Sequence, residues 1–490
     1  MTPAAAPFGA DRARIAIVGG GIAGLATAHA LRVLAPETEL LVLEGGDRVG
    51  GNIRSENLDG YLCESGPDGF LDNAPATLAL VDALGLSDRL LPSRAEARRR
   101  FIFRRGRLHE VPLSPAAFAT TGLLSLGAKL RVLAEPFAAR APRHDESILA
   151  FAERHIGREA AEILVGSMVS GIFAGDATQL SLRACFPKMH EMERDHGSLF
   201  RAMLARRRSA RNTNGIGAPA GHLTSFLGGM EDLVRGAAAA LGPAVRTRSR
   251  VTRIQVRHLA PHRPRLVGAR EFSVACDGRL IEADAVVLSG PAHDTADLLR
   301  PFAPAAASIL TGIQTAPLAV VCLGYDGRAL DADRGPLNGF GFLVPRSEGT
   351  HILGALWESS IYDGRAPRGK ALLRVMLGGA TAPDIVDRSN DEIVGLVKPD
   401  LERTMGLRLA PEFVHVVKHP RGIPQYTIGH AGRLARLDAA LAGCPGLFVA
   451  GNSYRGVSVN ACIEDAPRLA ARVIDRLRDA RRQEALAFAR

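Results

Sequence analysis

The sequence predicts a multidomain α/β fold whose nucleotide-binding domain is Rossmann-like and built from discontinuous segments. Three observations carry this. A β-branched and apolar run, Arg14-Ile15-Ala16-Ile17-Val18, enters Gly19-Gly20-Gly21-Ile22-Ala23-Gly24 and then a stretch of helical spacing through Leu31, the order strand, tight turn, helix. A second run, Ala283-Asp284-Ala285-Val286-Val287-Leu288, has the pattern of a buried parallel strand and ends in Gly290-Pro291. A third, Gly446-Leu447-Phe448-Val449-Ala450-Gly451-Asn452, again runs into a glycine turn. One sheet is therefore entered from three distant parts of the chain.

The first unit carries the most chemistry. Gly19, Gly21 and Gly24 occupy dinucleotide-fingerprint positions: one for the turn, one for close backbone approach to a pyrophosphate, one for packing helix on strand. Gly20, Ile22 and Ala23 lie between them, at a helix start whose free N–H groups and dipole favour phosphate. The strand Glu39-Leu40-Leu41-Val42-Leu43 ends in Glu44, twenty residues after Gly24, where an acid accepts hydrogen bonds from a ribose diol. A glycine pair follows Arg48 in Glu44-Gly45-Gly46-Asp47-Arg48-Val49-Gly50-Gly51-Asn52 and allows a second close approach to pyrophosphate with a cation beside it. The alternative for Arg48 is a solvated side chain on a glycine turn. The arrangement resembles the amine-oxidase-like flavoprotein superfamily, which implies FAD rather than NAD.

The 490 residues suffice for two or more domains, and 61 basic against 51 acidic residues give a net charge of +10. Such a balance favours an acidic partner: nucleic acid, anionic lipid or a carboxylated substrate. Aromatics make up only 5% and no zinc-finger spacing occurs, so nucleic acid is not expected. Cys63, Cys185, Cys276, Cys322, Cys444 and Cys462 are scattered and read as buried thiols in a reducing compartment. His190, His196 and His222 have no metal-ligand spacing, so no metal is expected. Residues 1–10 lack the basic and apolar parts of a signal peptide, and the longest apolar runs are short of a membrane span. The expected location is cytoplasmic, with peripheral contact on the inner face of the cell membrane left open.

Along the chain, a short strand at Tyr61-Leu62-Cys63 leads into Glu64-Ser65-Gly66-Pro67-Asp68-Gly69-Phe70, whose glycines either let backbone lie on a flat ligand or make a surface turn. A helix over 76–84 ends at Gly85. Residues 98–108 read as a hairpin between two arginine clusters, available to carboxylates of a ligand or of lipid, or simply solvated. A helical region follows to about 196, and within it the amphipathic stretch Phe118 to Phe137 suits either a bilayer surface or a core helix. Residues 205–221 read as a mobile loop, and Ser225 to Leu233 as the start of a helix. Strands are predicted near 244–254, 316–325, 339–345, 351–357 and 372–377, and a closing helix over 463–477. The boundaries that follow are 11–90, 221–300 and 421–490 for the nucleotide domain, 91–220 for the helical region and 301–420 for a sheet domain.

Two further stretches are more specific. Leu447-Phe448-Val449-Ala450-Gly451-Asn452-Ser453-Tyr454-Arg455-Gly456-Val457-Ser458-Val459-Asn460-Ala461-Cys462-Ile463, with Pro424-Gln425-Tyr426 ahead of it, closely resembles the oxygen-dependent protoporphyrinogen oxidase family of haem biosynthesis. So does Ser170-Gly171-Ile172-Phe173-Ala174-Gly175-Asp176 with Leu180-Ser181 and Phe186-Pro187, and the likeness keeps the same order from Arg14 to Ile474.

The resemblance implies an FAD domain in three segments, a β-sheet substrate domain and a helical membrane-binding region. FAD contacts are implied at Gly19 through Gly24, Glu44, Asn52, Gly66, Pro67, Asp68, Gly69, Val251, Asn452, Val457, Ser458 and Val459. For a tetrapyrrole substrate it implies Arg100 as propionate-binding arginine, Phe340 and Leu343 as apolar pocket walls, and Gly171 as the catalytic position where backbone approaches the reacting carbon. Arg98 or Arg99 is the alternative to Arg100.

The implied chemistry is hydride transfer from a methine-bridge carbon to flavin N5, proton loss from pyrrole nitrogen and reoxidation by dioxygen to hydrogen peroxide, in three rounds. A homodimer and contact with anionic membrane are admitted. Coproporphyrinogen III as substrate would call on more of the arginines at 98 to 100, 104, 105 and 107. Another amine-oxidase-like enzyme would need an aromatic cage, for which Tyr426 and Tyr454 are the candidates. A non-catalytic FAD-binding membrane or partner module would bind the cofactor without being reduced by substrate.

Overall fold

The computed structural model describes residues 12–138, 144–212, 221–257 and 270–488. A five-stranded parallel sheet runs in the order Val245–Arg246, Glu39–Leu43, Arg14–Val18, Ala285–Leu288, Leu447–Val449. Each strand is short and almost wholly apolar because both sheet faces are covered. Alternate residues go to opposite sides: Ile15, Ile17, Val42 and Val287 to one core, Ala16, Leu41, Leu43, Val286 and Leu288 to the other. The helix Ile22–Leu34 and the C-terminal helix Val459–Phe488 cover the first face. Ile463, Ala466, Leu469, Ala470, Val473 and Leu477 of the latter form the buried stripe. Each large side chain so buried contributes about 1.5–3 kcal/mol. Helices Ala292–Leu299 and Pro304–Thr311 cover the other face.

The second sheet has seven strands in the order Phe413–Pro424, Thr315–Asp326, Lys370–Gly378, Ile352–Leu356, Gly341–Leu343, Arg100–Arg104, Arg107–Glu110. The expected hairpin at 98–108 is present, yet it belongs to this sheet and not to the helical region in which the 91–220 boundary put it. Arg100–Arg104 lies parallel to Gly341–Leu343, with Gly341 opposite Arg100 and Leu343 opposite Ile102. Ile102 and Phe103 need burial on opposite faces, and only pairing with a distant strand provides it. The helix Asn390–Met405, capped by the reciprocal Ser389 and Glu392 bonds, packs Ile393, Val397, Leu401 and Met405 on one face.

The stretch Phe118 to Phe137 is not one helix. Pro115–Thr120 stops before Gly122, and Ser125 starts Leu126–Leu133 by accepting a bond from the Ala128 N–H at 3.2 Å. Its residues divide between core and surface: Leu123, Leu124 and Ala128 are buried, while Leu126, Leu130, Leu133 and Phe137 are 60–86% exposed. Its basic residues turn to backbone, Lys129 to Ala119 O and Arg131 to the carbonyls of Arg154 and His155.

Two local expectations are corrected. The basic run 206–208 continues the helix Leu199–Asn212, as Arg and Ala favour, so the expected mobile loop is helical as far as Asn212; its residues 213–220 lie outside the described residues. Ser225 and Phe226 end the strand Leu223–Phe226, and the helix starts only at Glu231, because Gly229 takes φ +88° where a side chain would strike Ser55. Among the described residues no helix is long and apolar enough to cross a membrane.

Candidate functional site

At the C-terminal ends of the parallel strands the glycine turn forms a cradle. A side chain on Gly24 would put its Cβ 2.2 Å from Gly19 O, so that glycine is demanded by helix–strand packing. Gly19 takes φ +111° beside Ser289. Gly21 is different: its φ is ordinary and an added Cβ would meet no protein atom within 4 Å. Nothing inside the chain asks for glycine there, whereas a ligand lying on the backbone would. The first helical bond is Leu25 N–H to Gly21 O and Gly21 provides no side-chain cap, so the N–H groups of Ile22, Ala23 and Gly24 face outward without intrahelical partners. These residues fit a dinucleotide pyrophosphate.

Glu44 accepts from the Gly20 and Gly46 N–H groups, each at 2.7 Å, which fixes its carboxylate and leaves lone pairs for a diol. Its own carbonyl accepts from Ser249 N–H at 2.7 Å, bringing the chain that enters Val251 beside the acid. Arg48 is neither solvated nor free. Its guanidinium donates to the carbonyls of Val49, Gly51 and Ile53 at 2.8–3.0 Å and staples the Gly50-Gly51 turn. Asn52 exposes its side chain and presses its carbonyl on Gly66, whose Cβ would come within 2.0 Å. Gly69 abuts the Tyr362 hydroxyl, 2.4 Å from an added Cβ. Both loop glycines are thus required by the protein's own packing. Pro67 and Asp68 between them are half-buried, and Arg374 holds the loop through Gly66 O at 2.6 Å and Glu64 O at 3.2 Å, with Asp68 at 3.5 Å.

The C-terminal loop is clamped from below. The Tyr426 hydroxyl donates to Asn452 O and accepts from Gly456 N–H at 2.8 Å. The Tyr426 ring stacks on His430 at 4.1 Å, and His430 Nε2 bonds Tyr454 O at 2.9 Å. Burial pushes the His430 imidazole below its ordinary pKa and the Tyr426 phenol above its own, so both are neutral. Val457 and Ser458 follow, Ser458 capping the last helix through Ala461 N–H at 3.1 Å, and Val459 begins it. Tyr426 and Tyr454 are buried and tied to this loop, so they do not form an open aromatic cage. Gln425 Nε2 donates to Phe173 O at 2.8 Å and Ser181 N–H to Tyr426 O at 2.8 Å, which joins the two most specific sequence motifs.

The four substrate candidates lie along one pair of parallel strands, Arg100–Arg104 and Gly341–Leu343, and on a helix facing it. Arg100 lies over the Phe340 ring, 4.8 Å from its centroid, and Phe340 N–H donates to Arg99 O at 2.8 Å. Gly171, in the helix Ser167–Phe173 that follows a π-helical turn over Ala161–Gly166, faces Leu343, whose Cδ2 would be 2.7 Å from a Cβ there. The arginines of this hairpin differ in their partners. Arg99 is bound to Glu110 at 2.9 Å and Arg104 to Glu159 at 2.8 Å. Arg98 and Arg100 are exposed and have no acidic partner among the described residues. Sequence reasoning did not single out Arg374 or His430; Gln425 and Tyr426 were visible only as part of a motif. Among the described residues no group of three His, Cys, Asp or Glu side chains is placed to hold a metal.

The model of the family described as flavin containing amine oxidoreductase matches residues 22–474. The chloroplastic protoporphyrinogen oxidase of Nicotiana tabacum is 32% identical over 478 residues, 93% of this chain and 84% of that protein. Coproporphyrinogen III oxidase of Bacillus subtilis is 30% identical over 469 residues, covering 92% and 95% of the two. The crystal structure of a candidate protoporphyrinogen oxidase from Exiguobacterium superposes with a TM-score of 0.80 at 28% identity, over 94% of this chain and 99% of that one.

Proposed function

We propose that this chain, which belongs to the flavin containing amine oxidoreductase family, oxidises protoporphyrinogen IX to protoporphyrin IX. The observation that carries the reading is the meeting of Arg100 with Phe340 at one end of a parallel strand pair and of Gly171 with Leu343 at the other. That is a cation beside an apolar wall, as a flexible macrocycle bearing propionates requires. FAD, when bound, supplies the hydride acceptor.

The chain's own residues orient and exclude. Arg100 binds a propionate through its forked guanidinium. Phe340 and Leu343 cover the macrocycle, and the bare backbone of Gly171 lets it come close to the helix. Glu44 and the N–H groups of Ile22 through Gly24 hold ribose and pyrophosphate, and the neutral Tyr426–His430 pair keeps the Asn452–Val459 loop in place. We assign dioxygen as electron acceptor and hydrogen peroxide as its product, over three rounds. We also place the protein in the cytoplasm, resting the exposed Leu126, Leu130, Leu133 and Phe137 on the inner face of the cell membrane.

Coproporphyrinogen III is the competing substrate, favoured by the likeness to the Bacillus subtilis enzyme. Against it, four carboxylates face only two cations without acid partners at this end of the strand, Arg98 and Arg100. Arg105 sits at the hairpin's far end, roughly 17 Å away at the usual strand rise. Anaerobic stopped-flow mixing of the FAD-loaded protein with each porphyrinogen decides. Faster flavin bleaching by protoporphyrinogen IX, with porphyrin fluorescence after air is admitted, supports the proposal. A preference for coproporphyrinogen III reassigns the substrate, and bleaching by neither overturns both readings.

A further inference from the structure

Behind the Gly66–Gly69 loop lies a buried cluster that no step above uses. Glu358 stands in the short helix Glu358–Ile361 and its Oε1 is ion-paired with Arg374 Nε at 2.9 Å, while its Oε2 has no hydrogen-bond donor among the described residues. Asp68 Oδ2, the Tyr362 hydroxyl and Arg365 Nε and Nη1 are likewise buried without a hydrogen-bond partner among the described residues. Buried polar atoms without protein partners are rare, and in so tight a group they mark ordered water.

The cluster also has a charge imbalance. Glu64, Asp68 and Glu358 face only two guanidiniums, Arg365 at 3.9 Å from Glu64 and Arg374 beside Asp68 and Glu358. Arg365 spends one nitrogen on Ser225 Oγ at 2.6 Å. With every group ionised, one buried negative charge is left uncompensated, so a further negative charge placed beside the cluster is costly enough to draw in a proton. Burial raises Glu358 above the usual carboxylate range against the pull of Arg374, and raises Glu64 to about 7 against Arg365. The groups facing Glu358 from neighbouring elements are Arg374, Asp68, Arg365, Glu64, the Tyr362 hydroxyl and the Cys322 thiol.

Two contacts orient the chamber. The Tyr362 hydroxyl is pressed on Gly69, while Phe340 of the substrate wall packs against the cluster that contains the Tyr362 ring. Asp68, with a side chain 15% exposed, is the least buried of the three acids.

We propose that these side chains enclose ordered water against the Gly66–Gly69 loop, and that Glu358 is its proton-holding positioning residue, protonated when negative charge is placed on the flavin. The inference rests on the assignment of that loop to FAD. The step moves a proton only: an O–H bond of chamber water breaks, an O–H bond forms on a Glu358 oxygen, and solvent replaces the proton past Asp68. No electron leaves the chain.

The test is an infrared difference spectrum of the FAD-loaded full chain, oxidised against dithionite-reduced, in H2O and D2O. It needs no porphyrinogen and so stands apart from the substrate reading. A carboxylic-acid carbonyl band gained on reduction, shifted in D2O and absent in Glu358→Gln at an unchanged melting temperature, is the expected result. No such band in the wild type, or its persistence in Glu358→Gln, overturns the proposal. Should Glu358→Gln not fold, Tyr362→Phe serves: loss of the hydroxyl shifts the band, and an unmoved band overturns the chamber. A chain that takes no FAD overturns this inference and the proposed function together.

Discussion

Gly171 and Leu343 touch so closely that the smallest side chain cannot be added to the first without moving the second: the Leu343 Cδ2 would lie 2.7 Å from a Gly171 Cβ. The pair comes from a helix and a strand far apart in the sequence. It fixes the distance between the helical wall and the sheet wall of the candidate substrate site.

Gly171→Ala therefore lowers turnover by roughly 10- to 100-fold, the equivalent of about 1–3 kcal/mol of overpacking. Leu343→Ala restores part of the loss because the methyl groups that clash are gone. A double-mutant cycle on kcat/KM checks it, and strictly additive losses would contradict the contact.

Arg100→Met raises KM for a propionate-bearing substrate about 10- to 100-fold with a smaller change in kcat, as expected for loss of a charge-assisted bond of about 1.5–3 kcal/mol. Arg99→Met changes KM little, since that guanidinium is bound to Glu110. Steady-state porphyrin fluorescence measures both, and a larger effect at Arg99 would move the binding site.

The two fingerprint glycines separate stability from binding. Gly24→Ala drives a Cβ against Gly19 O and destabilises the fold by about 2 kcal/mol or more. Gly21→Ala meets nothing in the chain, keeps its melting temperature as apoprotein and loses FAD affinity. Thermal melts beside FAD titrations read the two effects independently.

The His430 imidazole is held below its ordinary pKa, so between pH 7 and 5 the unfolded chain takes up a proton that the folded chain refuses. That contribution is complete above the unfolded pKa of about 6.5 and falls as pH drops below it. Wild type is thus expected to lose more stability than His430→Gln over that range. Parallel denaturant titrations give the difference, in which other titrating groups cancel.

Glu substitutions at Leu126, Leu130 and Phe137 reach side chains 60–86% exposed. They leave the melting temperature unchanged and abolish binding to anionic vesicles in flotation assays. Retained binding would place membrane contact elsewhere.

What could be read from the sequence was what is local. The strands Arg14–Val18 and Glu39–Leu43, the glycine turn and Glu44 follow from period and spacing within some thirty residues. The hairpin was legible but its partner Gly341–Leu343 was not, because a one-to-one register between segments so far apart leaves no local trace. Arg48 and the Gly66–Gly69 loop show a second limit: residue type announced a ligand, whereas packing against Asn52, Tyr362 and nearby carbonyls explains part of the same pattern. The edge strand Phe413–Pro424 was hidden by His415, Lys418, His419 and Arg421, which interrupt its alternation.

The segment around Gln425 and Tyr426 grips Phe173 and Ser181 on one side and the Asn452–Gly456 loop on the other. Order imposed on one flank through this segment would lower the entropy left to be lost on the other, and any such coupling is reciprocal. By reciprocity, whatever factor FAD adds to porphyrinogen affinity, porphyrinogen adds to FAD affinity.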